Sequence, residues 1–581
     1  METPEMEGLL PGAVAAKEGR AWPRAKALVA GAVAAGALLV LALASGSGGA
    51  RSTPEAEGHG GSGVLAAEPQ VVRGDKPALT REWVQEQFQA MGMALSDTAL
   101  DDAVLHMPGL SDDAPDIVQF SGYVEVSETK RSFYMLSLSQ RSPKDDPLVL
   151  WTNGGPGCSG LLGYFTEHGP FRPMEDLSLR LNDYSWNKVA NMLYIESPTG
   201  VGFSYSEGDV ASDLLAGDES VARDNYELIQ QVLLRHTALQ DNDFYLSAES
   251  YGGHYIPTLA KQLVVGAAEA TPWIKFKGFL VGNPYTDPVS NMKGMMGAFW
   301  GHQLVPAPVY KAWQEHCSDS KEVSTYYDDE YCVELEVEMM DAIGDLDWYG
   351  LDFPVCNRDL PDSGAFSEVL SAQAQQLVKY AYPRLHDKLV SRWQEKKKAS
   401  LRRDLLGGRR LASSKQPTVY DACVPDYMTR YLNKAEVQDA LHAEVGTTWA
   451  ECSSSITYDF DSKMDYMEAL YKHLLDDTSL RIMVYSGDDD SICAPLGTQD
   501  WIWKLGYSVQ DDWAAWYYKD AMYGDGQVGG YRVRFTTPQA EEDSTSSRLS
   551  FVTIHHAGHE VPMYQPMRAL HVFENFLDGV F

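Results

Sequence analysis

Ser250 sits where a serine can be made into a nucleophile. An apolar, aromatic run, Phe244-Tyr245-Leu246, leads into Ser247-Ala248-Glu249-Ser250-Tyr251-Gly252-Gly253, and His254 to Gln262 has helical character. Strand, sharp turn, helix is the layout of a nucleophile elbow. It lifts a serine oxygen above a sheet and points the next backbone N–H, here that of Tyr251, at a developing oxyanion. The turn is tight, so the positions two before and two after the serine must be small. They are Ala248 and Gly252, giving A-x-S-x-G in place of G-x-S-x-G.

Acyl chemistry at a serine needs a base, an acid that orients the base, and a second oxyanion donor. Leu148 to Trp151 reads as a strand and runs into Thr152-Asn153-Gly154-Gly155-Pro156-Gly157-Cys158-Ser159, whose paired glycines let backbone N–H groups approach a ligand closely. Leu480 to Ser486 reads as a strand ending in Gly487-Asp488-Asp489-Asp490, which suits a triad acid, a cation site or a plain acidic turn. Leu549 to Ile554 reads as a strand that runs into His555-His556-Ala557-Gly558-His559-Glu560. Three histidines invite a metal, but adjacent histidines do not readily share one ion and H-E-x-x-H is absent, so no metal is expected. Each reactive group follows a strand, in the order serine, acid, histidine of an α/β-hydrolase.

Further strands are expected over Val118–Val126, Phe133–Leu138 and Phe276–Val281, with turn residues such as Pro143 between them. After the last of these, alternation is lost. The expected fold is α/β: a central, mostly parallel sheet with helices on both faces, built from residues 118–282 and 458–581. Residues 283–457 are expected to form a mainly helical, Cys-rich cap insertion.

These blocks resemble the serine carboxypeptidase family, in particular its vacuolar and lysosomal members. Trp151–Ser159 and Glu249–Gly253 are similar to the two signature blocks, Tyr184-Ser185-Trp186-Asn187, Glu196–Ser206 and Gly282-Asn283-Pro284 to further ones. The likeness covers roughly Gln119 to Phe581; Glu196 departs from the family's usual Asp. The resemblance implies the α/β-hydrolase fold, a cap that shapes a peptide cleft, and no cofactor. It implies a triad of Ser250, His559 and Asp490, because Asp490 is the second Asp of Gly-Asp-x-Asp and His559 stands between Gly and x-Val-Pro. Asp488 then reads as structural and Asp489 as solvated. Gly155 and Tyr251 are the implied oxyanion donors.

Trp151, Asn153, Glu167 and Glu249 match the family's clamp for the substrate's terminal carboxylate. Two glutamates beside a carboxylate make sense only if a proton is shared, since close carboxyls force one pKa up. Peptide binding should therefore weaken as pH rises above about 6, giving an acidic optimum. Six of the seven cysteines match the family's bridges, Cys158 with Cys452, Cys317 with Cys332 and Cys356 with Cys423, leaving Cys493 as a buried free thiol.

The implied activity is removal of C-terminal amino acids from peptides and proteins. Two alternatives stand beside it: acyl transfer, for which the family's acyltransferase branch often has Asp at the position of Glu249, and a protective partner of lysosomal hydrolases. A homodimer is a family expectation.

The net charge of −35 argues against nucleic acid or an anionic membrane surface as partner. Arg20, Arg24 and Lys26 precede the apolar run Ala27–Ala44, which reads as a signal peptide or a signal anchor behind the tail 1–26. Glu5-Met6-Glu7-Gly8-Leu9-Leu10 in that tail resembles an acidic dileucine sorting signal. Both readings place the body in the secretory lumen, with a vacuole or lysosome as the expected compartment. Residues 45–117 read as linker and propeptide-like, with helical spacing from Leu79 to Leu100. Residues 384–414, rich in Lys and Arg, read as a basic linker open to excision. No Asn-x-Ser/Thr sequon is present.

Overall fold

Near-continuous apolar runs in the chain become strands buried on both faces, the mark of a parallel sheet covered by helices. We number the strands of the main sheet β1 Gln119–Glu125, β2 Lys130–Ser137, β3 Leu148–Thr152, β4 Asn191–Ile195 and β5 Phe244–Glu249. There follow β6 Phe276–Gly282, β7 Arg481–Gly487, β8 Ser508–Asp520, β9 Gly524–Thr536 and β10 Leu549–Ile554. Their order across the sheet is β1-β2-β4-β3-β5-β6-β7-β10-β9-β8, with the short strand Tyr205–Ser206 beside β2. The run from β4 to β10 is parallel throughout; the strands on either side are antiparallel. This is the α/β-hydrolase arrangement expected.

The computed structural model describes residues 78–266, 272–318, 329–344, 346–356, 372–392, 420–459, 467–520, 524–538 and 548–581. The run Ala27–Ala44 lies outside them, as does the basic linker beyond residue 392. Among the described residues, no helix is long and apolar enough to cross a membrane.

Side chains alternate across the central strands and build a core on each face. From β3, Leu148 and Leu150 join Leu228, Ile229, Ile256 and Leu259 of the helices Asp218–Arg235 and Gly252–Gly266. Val149 and Trp151 point the other way, to Phe165, Trp186 and Phe573. Between β6 and β7 the chain leaves the sheet, and the described part of this insertion is helical: Pro288–Gly301, Ala307–His316, Glu330–Ile343, Ala372–Ala381 and Val424–Leu432.

Packing also begins before residue 118. The helix Arg81–Met91 buries Val84 and Phe88 in the same cluster as Phe120 and Leu136. Asp102 takes hydrogen bonds from Tyr134 and Arg235 at 2.5 Å each. The short polar stretches around these anchors hide them from a reading based on alternation.

Candidate active site

The elbow forms where two adjacent positions have room only for glycine. Ser250 adopts φ +59°, a left-handed conformation that costs a non-glycine residue about 1–3 kcal/mol and persists only when its surroundings hold it. They do so on both sides: Ser250 N–H donates to Gly282 O at 3.0 Å, and Tyr285 N–H donates to Ser250 O at 2.8 Å. A Cβ on Gly252 would lie 2.3 Å from the Ala248 Cβ, and one on Gly253 2.2 Å from Tyr285 O. The helix begins at Gly252, two residues before the expected start, and carries Pro257 within it.

Two neighbouring parallel strands, β7 and β10, bring Asp490 and His559 together. His559 Nδ1 and Asp490 Oδ2 are 2.8 Å apart, with both side chains fully buried. Asp490 is held by three further donors: Asn283 Nδ2 at 2.7 Å, Ile492 N–H at 2.8 Å and Cys493 N–H at 3.1 Å. A carboxylate so held orients an imidazole and stabilises its charged form. His559 N–H is anchored on Tyr349 O at 2.6 Å, and the Tyr349 ring lies 4.3 Å from the imidazole. Among the described residues, Ser250 Oγ and His559 Nε2 are buried without a hydrogen-bond partner. Burial pushes the Cys493 thiol well above its ordinary pKa. Cys493 is free and buried, as expected.

The glycine turn after β3 packs on the elbow without slack: a Cβ on Gly154 would sit 2.5 Å from Tyr251 N and 2.8 Å from Ser250 Cβ. Gly155, at φ +111°, is equally confined, 2.8 Å from Cys158 Sγ by the same measure.

Trp151, Asn153, Glu167 and Glu249 come together. Trp151 Nε1 and Gly163 N–H both donate to Asn153 Oδ1, at 2.7 and 3.1 Å, which fixes the amide so that Nδ2 faces the glutamates. Nδ2 then donates to Glu167 Oε1 at 3.1 Å and to Glu249 Oε1 at 2.9 Å. Burial pushes Glu167 up to about 7, against the hydrogen bonds from Asn153 and Glu249. Burial thus favours the protonated form of Glu167, and a protonated carboxyl can donate to an incoming carboxylate.

The three bridges are Cys158–Cys452, Cys317–Cys332 and Cys356–Cys423. Asp489 is not solvated: it is buried, accepts Asp352 N–H at 3.0 Å and lies 3.5 Å from His302. The solvent-side acid is Asp488, paired with His555 at 2.7 Å. The strap Asp347–Asp352, from the cap, fills the place over Asp489 that the sequence left open. Two residues that sequence reasoning gave no role belong here. Asn283 bridges β6 to the acid loop, also accepting Gly487 N–H at 2.9 Å; its signal was a polar residue ending an apolar strand. Glu560, buried beside His559, is pushed well above its ordinary pKa by burial and by the charges of Glu167, Glu451, Asp347 and Asp490.

A parallel sheet that carries a strained serine turn, with a buried Asp–His pair at adjacent strand ends, defines an α/β-hydrolase. Residues 108–579 match the family described as serine carboxypeptidase. The chain belongs to the serine carboxypeptidase family and is an enzyme, a hydrolase of the peptidase type. It is 35% identical over 472 residues to serine carboxypeptidase 24 of Arabidopsis thaliana, covering 79% of this chain and 89% of that one. It is 33% identical over 470 residues to serine carboxypeptidase-like 34 of the same plant, covering 79% and 85%. The structure of Kex1, described as a prohormone-processing carboxypeptidase from Saccharomyces cerevisiae, superposes with a TM-score of 0.59 at 20% identity, over 81% of this chain and 94% of that one, which bears on the fold alone. Three disulfides fit a protein that folds outside the cytoplasm.

Proposed function

We propose that this protein is a serine-type exopeptidase that removes C-terminal amino acids from peptides and proteins at acidic pH. Ser250 attacks the last peptide carbonyl while His559 takes its proton and then hands it to the departing amine. Asp490 keeps the imidazole in the working tautomer and stabilises the imidazolium. The N–H groups of Gly155 and Tyr251 stabilise the oxyanion, each worth roughly 10²–10³ in rate. Water then hydrolyses the acyl-enzyme.

The observation that carries this reading is the buried Glu167–Asn153–Glu249 cluster, since a carboxyl whose burial favours its protonated form suits recognition of a free carboxylate. It also favours an acidic lumen, a vacuole or lysosome, as the working compartment. Glu249 in place of Asp supports peptide hydrolysis over acyl transfer. The test is release of C-terminal amino acids from blocked dipeptides at acidic and neutral pH, with Ser250→Ala as control. Serine-dependent release, faster in acid, is expected. No release by folded protein would move the reading to acyl transfer or to a binding role.

A further inference from the structure

We propose that Arg172 is a positioning residue that fixes Glu167 and supplies the positive charge of the carboxylate site; this rests on the reading that Glu167, Asn153 and Glu249 bind a peptide's terminal carboxylate. Glu167 closes a single wide turn, Gly163–Glu167, in which Gly163 O takes the N–H groups of His168 and Gly169 at 2.9 and 3.2 Å. Wide turns of this kind recur at functional sites. The chain leaving the turn folds back as a hairpin, Phe171–Pro173 against Leu179–Leu181, which sets Arg172 against the turn. Arg172 Nη2 donates to Glu167 O at 2.5 Å and to Pro562 O at 3.2 Å. Asn182, just past the hairpin, donates from Nδ2 to the same Glu167 O at 3.1 Å and to Gly169 O at 3.0 Å. The Glu167 backbone is thus gripped from two sides, and the guanidinium is pinned between it and the segment that follows His559.

Among the described residues, no carboxylate forms an ion pair with Arg172, and its Nε is buried without a partner. A cation drawn out of water is costly unless an anion compensates it, and two neutral carbonyls do not. The anions at hand are the carboxyls of Glu167 and Glu249 and the terminus of the substrate. Three carboxyls in one small space repel; Arg172 and one proton offset two of the three charges. Burial brings Arg172 down to about 10, so it stays charged while the glutamates titrate. Its charge also opposes the effect of burial on Glu167. The other titratable groups facing Glu167 are Glu249 on β5, Glu560 after His559, Tyr194 on β4 and Tyr485 on β7; burial keeps both phenols, and the adjoining His168, uncharged. Arg180 faces Arg172 itself. Loss of the charge and loss of the grip then differ in sign. Without the cation, Glu167 keeps its proton to higher pH, so the climb of KM moves up. A loosened turn admits water, relieves the burial and moves the climb down.

Arg172→Gln keeps a donor for the carbonyls and removes the charge; Arg172→Lys keeps the charge and loses the fork. In Arg172→Gln, KM for a blocked dipeptide should rise about 10-fold in acid, and that for its C-terminal amide stay within about twofold, with kcat nearly kept. The pH at which KM climbs should move up. Arg172→Lys should recover most of the loss and restore the climb to its wild-type place. Thermal melting shows whether each variant is folded; if Arg172→Gln is not, Arg172→Lys decides alone, because a need for charge spares it and a need for the fork does not. Equal losses on acid and amide, a climb that stays or moves down in Arg172→Gln, or a Lys variant as poor as the Gln variant would overturn the proposal. Calorimetry on Ser250→Ala, with and without Arg172→Gln, reads binding of the same two ligands without turnover. If wild type releases no amino acid yet Ser250→Ala prefers the acid to the amide, the exopeptidase reading fails. Loss of that preference in Arg172→Gln then still supports the role of the charge, and its survival overturns it. If Ser250→Ala binds acid and amide alike, the carboxylate site fails and the proposal with it.

Discussion

Gly252 leaves no room for a methyl group: a Cβ there would stand 2.3 Å from the Cβ of Ala248. The turn that carries Ser250 closes on these two residues, so position 248 accommodates a methyl group only because position 252 is glycine. Gly252→Ala should therefore destabilise the fold by about 1–3 kcal/mol through overpacking and cut activity. Adding Ala248→Gly should recover much of both. Melting curves and peptide release for the single and double variants check this; a double variant as poor as the single would overturn it.

Recognition of the substrate's terminal carboxylate should carry the titration of the Glu167–Glu249 pair. The protonated pair donates and the ionised pair repels, so KM should stay low in acid and climb as pH passes about 7, the value to which burial lifts Glu167. In Glu167→Gln, KM in acid should rise several-fold and its pH dependence flatten, with kcat nearly kept. A peptide amide, lacking the carboxylate, should show no such dependence in the wild type.

Stability should also fall with rising pH. Glu167, Glu196 and Asp347 are each pushed up to about 7 by burial, from ordinary values of 4.5, 4.5 and 3.8. The folded chain keeps their protons where the unfolded chain has lost them, and a state that binds more protons loses ground as pH rises through that window. The melting temperature should be several degrees higher at pH 5 than at pH 7.5. A melting temperature that increases across this interval would count against these three sites as the dominant linkage.

The segment before β1 should be needed for folding. Val84 and Phe88 are core residues, Leu179 N–H donates to Gly109 O at 2.8 Å, and Tyr431 Oη donates to Pro108 O at 2.8 Å. A chain starting at residue 78 should fold and a chain starting at residue 118 should aggregate, as solubility and circular dichroism would report.

How much of this could be read from residues alone follows from local physics. The strands that carry the site, β3, β5, β7 and β10, are continuous apolar runs that end in small or polar residues, and each was visible. Ser250, Asp490 and His559 were placed by what precedes them and by resemblance. The hairpin of β8 and β9 was missed: its thirteen-residue strands carry irregular register at four points, and β8 shows solvent mostly exposed residues such as Asp512, Trp513 and Tyr517, so no period of two survives along β8. Asp489 was misjudged as solvated because its cover, the strap Asp347–Asp352, comes from more than a hundred residues away. Nothing in the spacing of Arg172 announced that it would hold the carbonyls of Glu167 and Pro562, because convergence in space of distant segments leaves no local trace.

The adjacency of β6 and β7 has a consequence for the molecule as a possession of one gene. These strands lie side by side, yet the entire insertion separates them in sequence. Ser250 belongs to the half before it, Asp490 and His559 to the half after. One cut between Cys356 and Cys423 would convert the product into a two-chain protein, with Ser250 on one polypeptide and the Asp490–His559 pair on the other. Cys158–Cys452 and Cys356–Cys423 would keep the pair bonded. Neither fragment alone would then be an enzyme, so breaking both bridges and separating the halves would extinguish activity without altering a single side chain of the site.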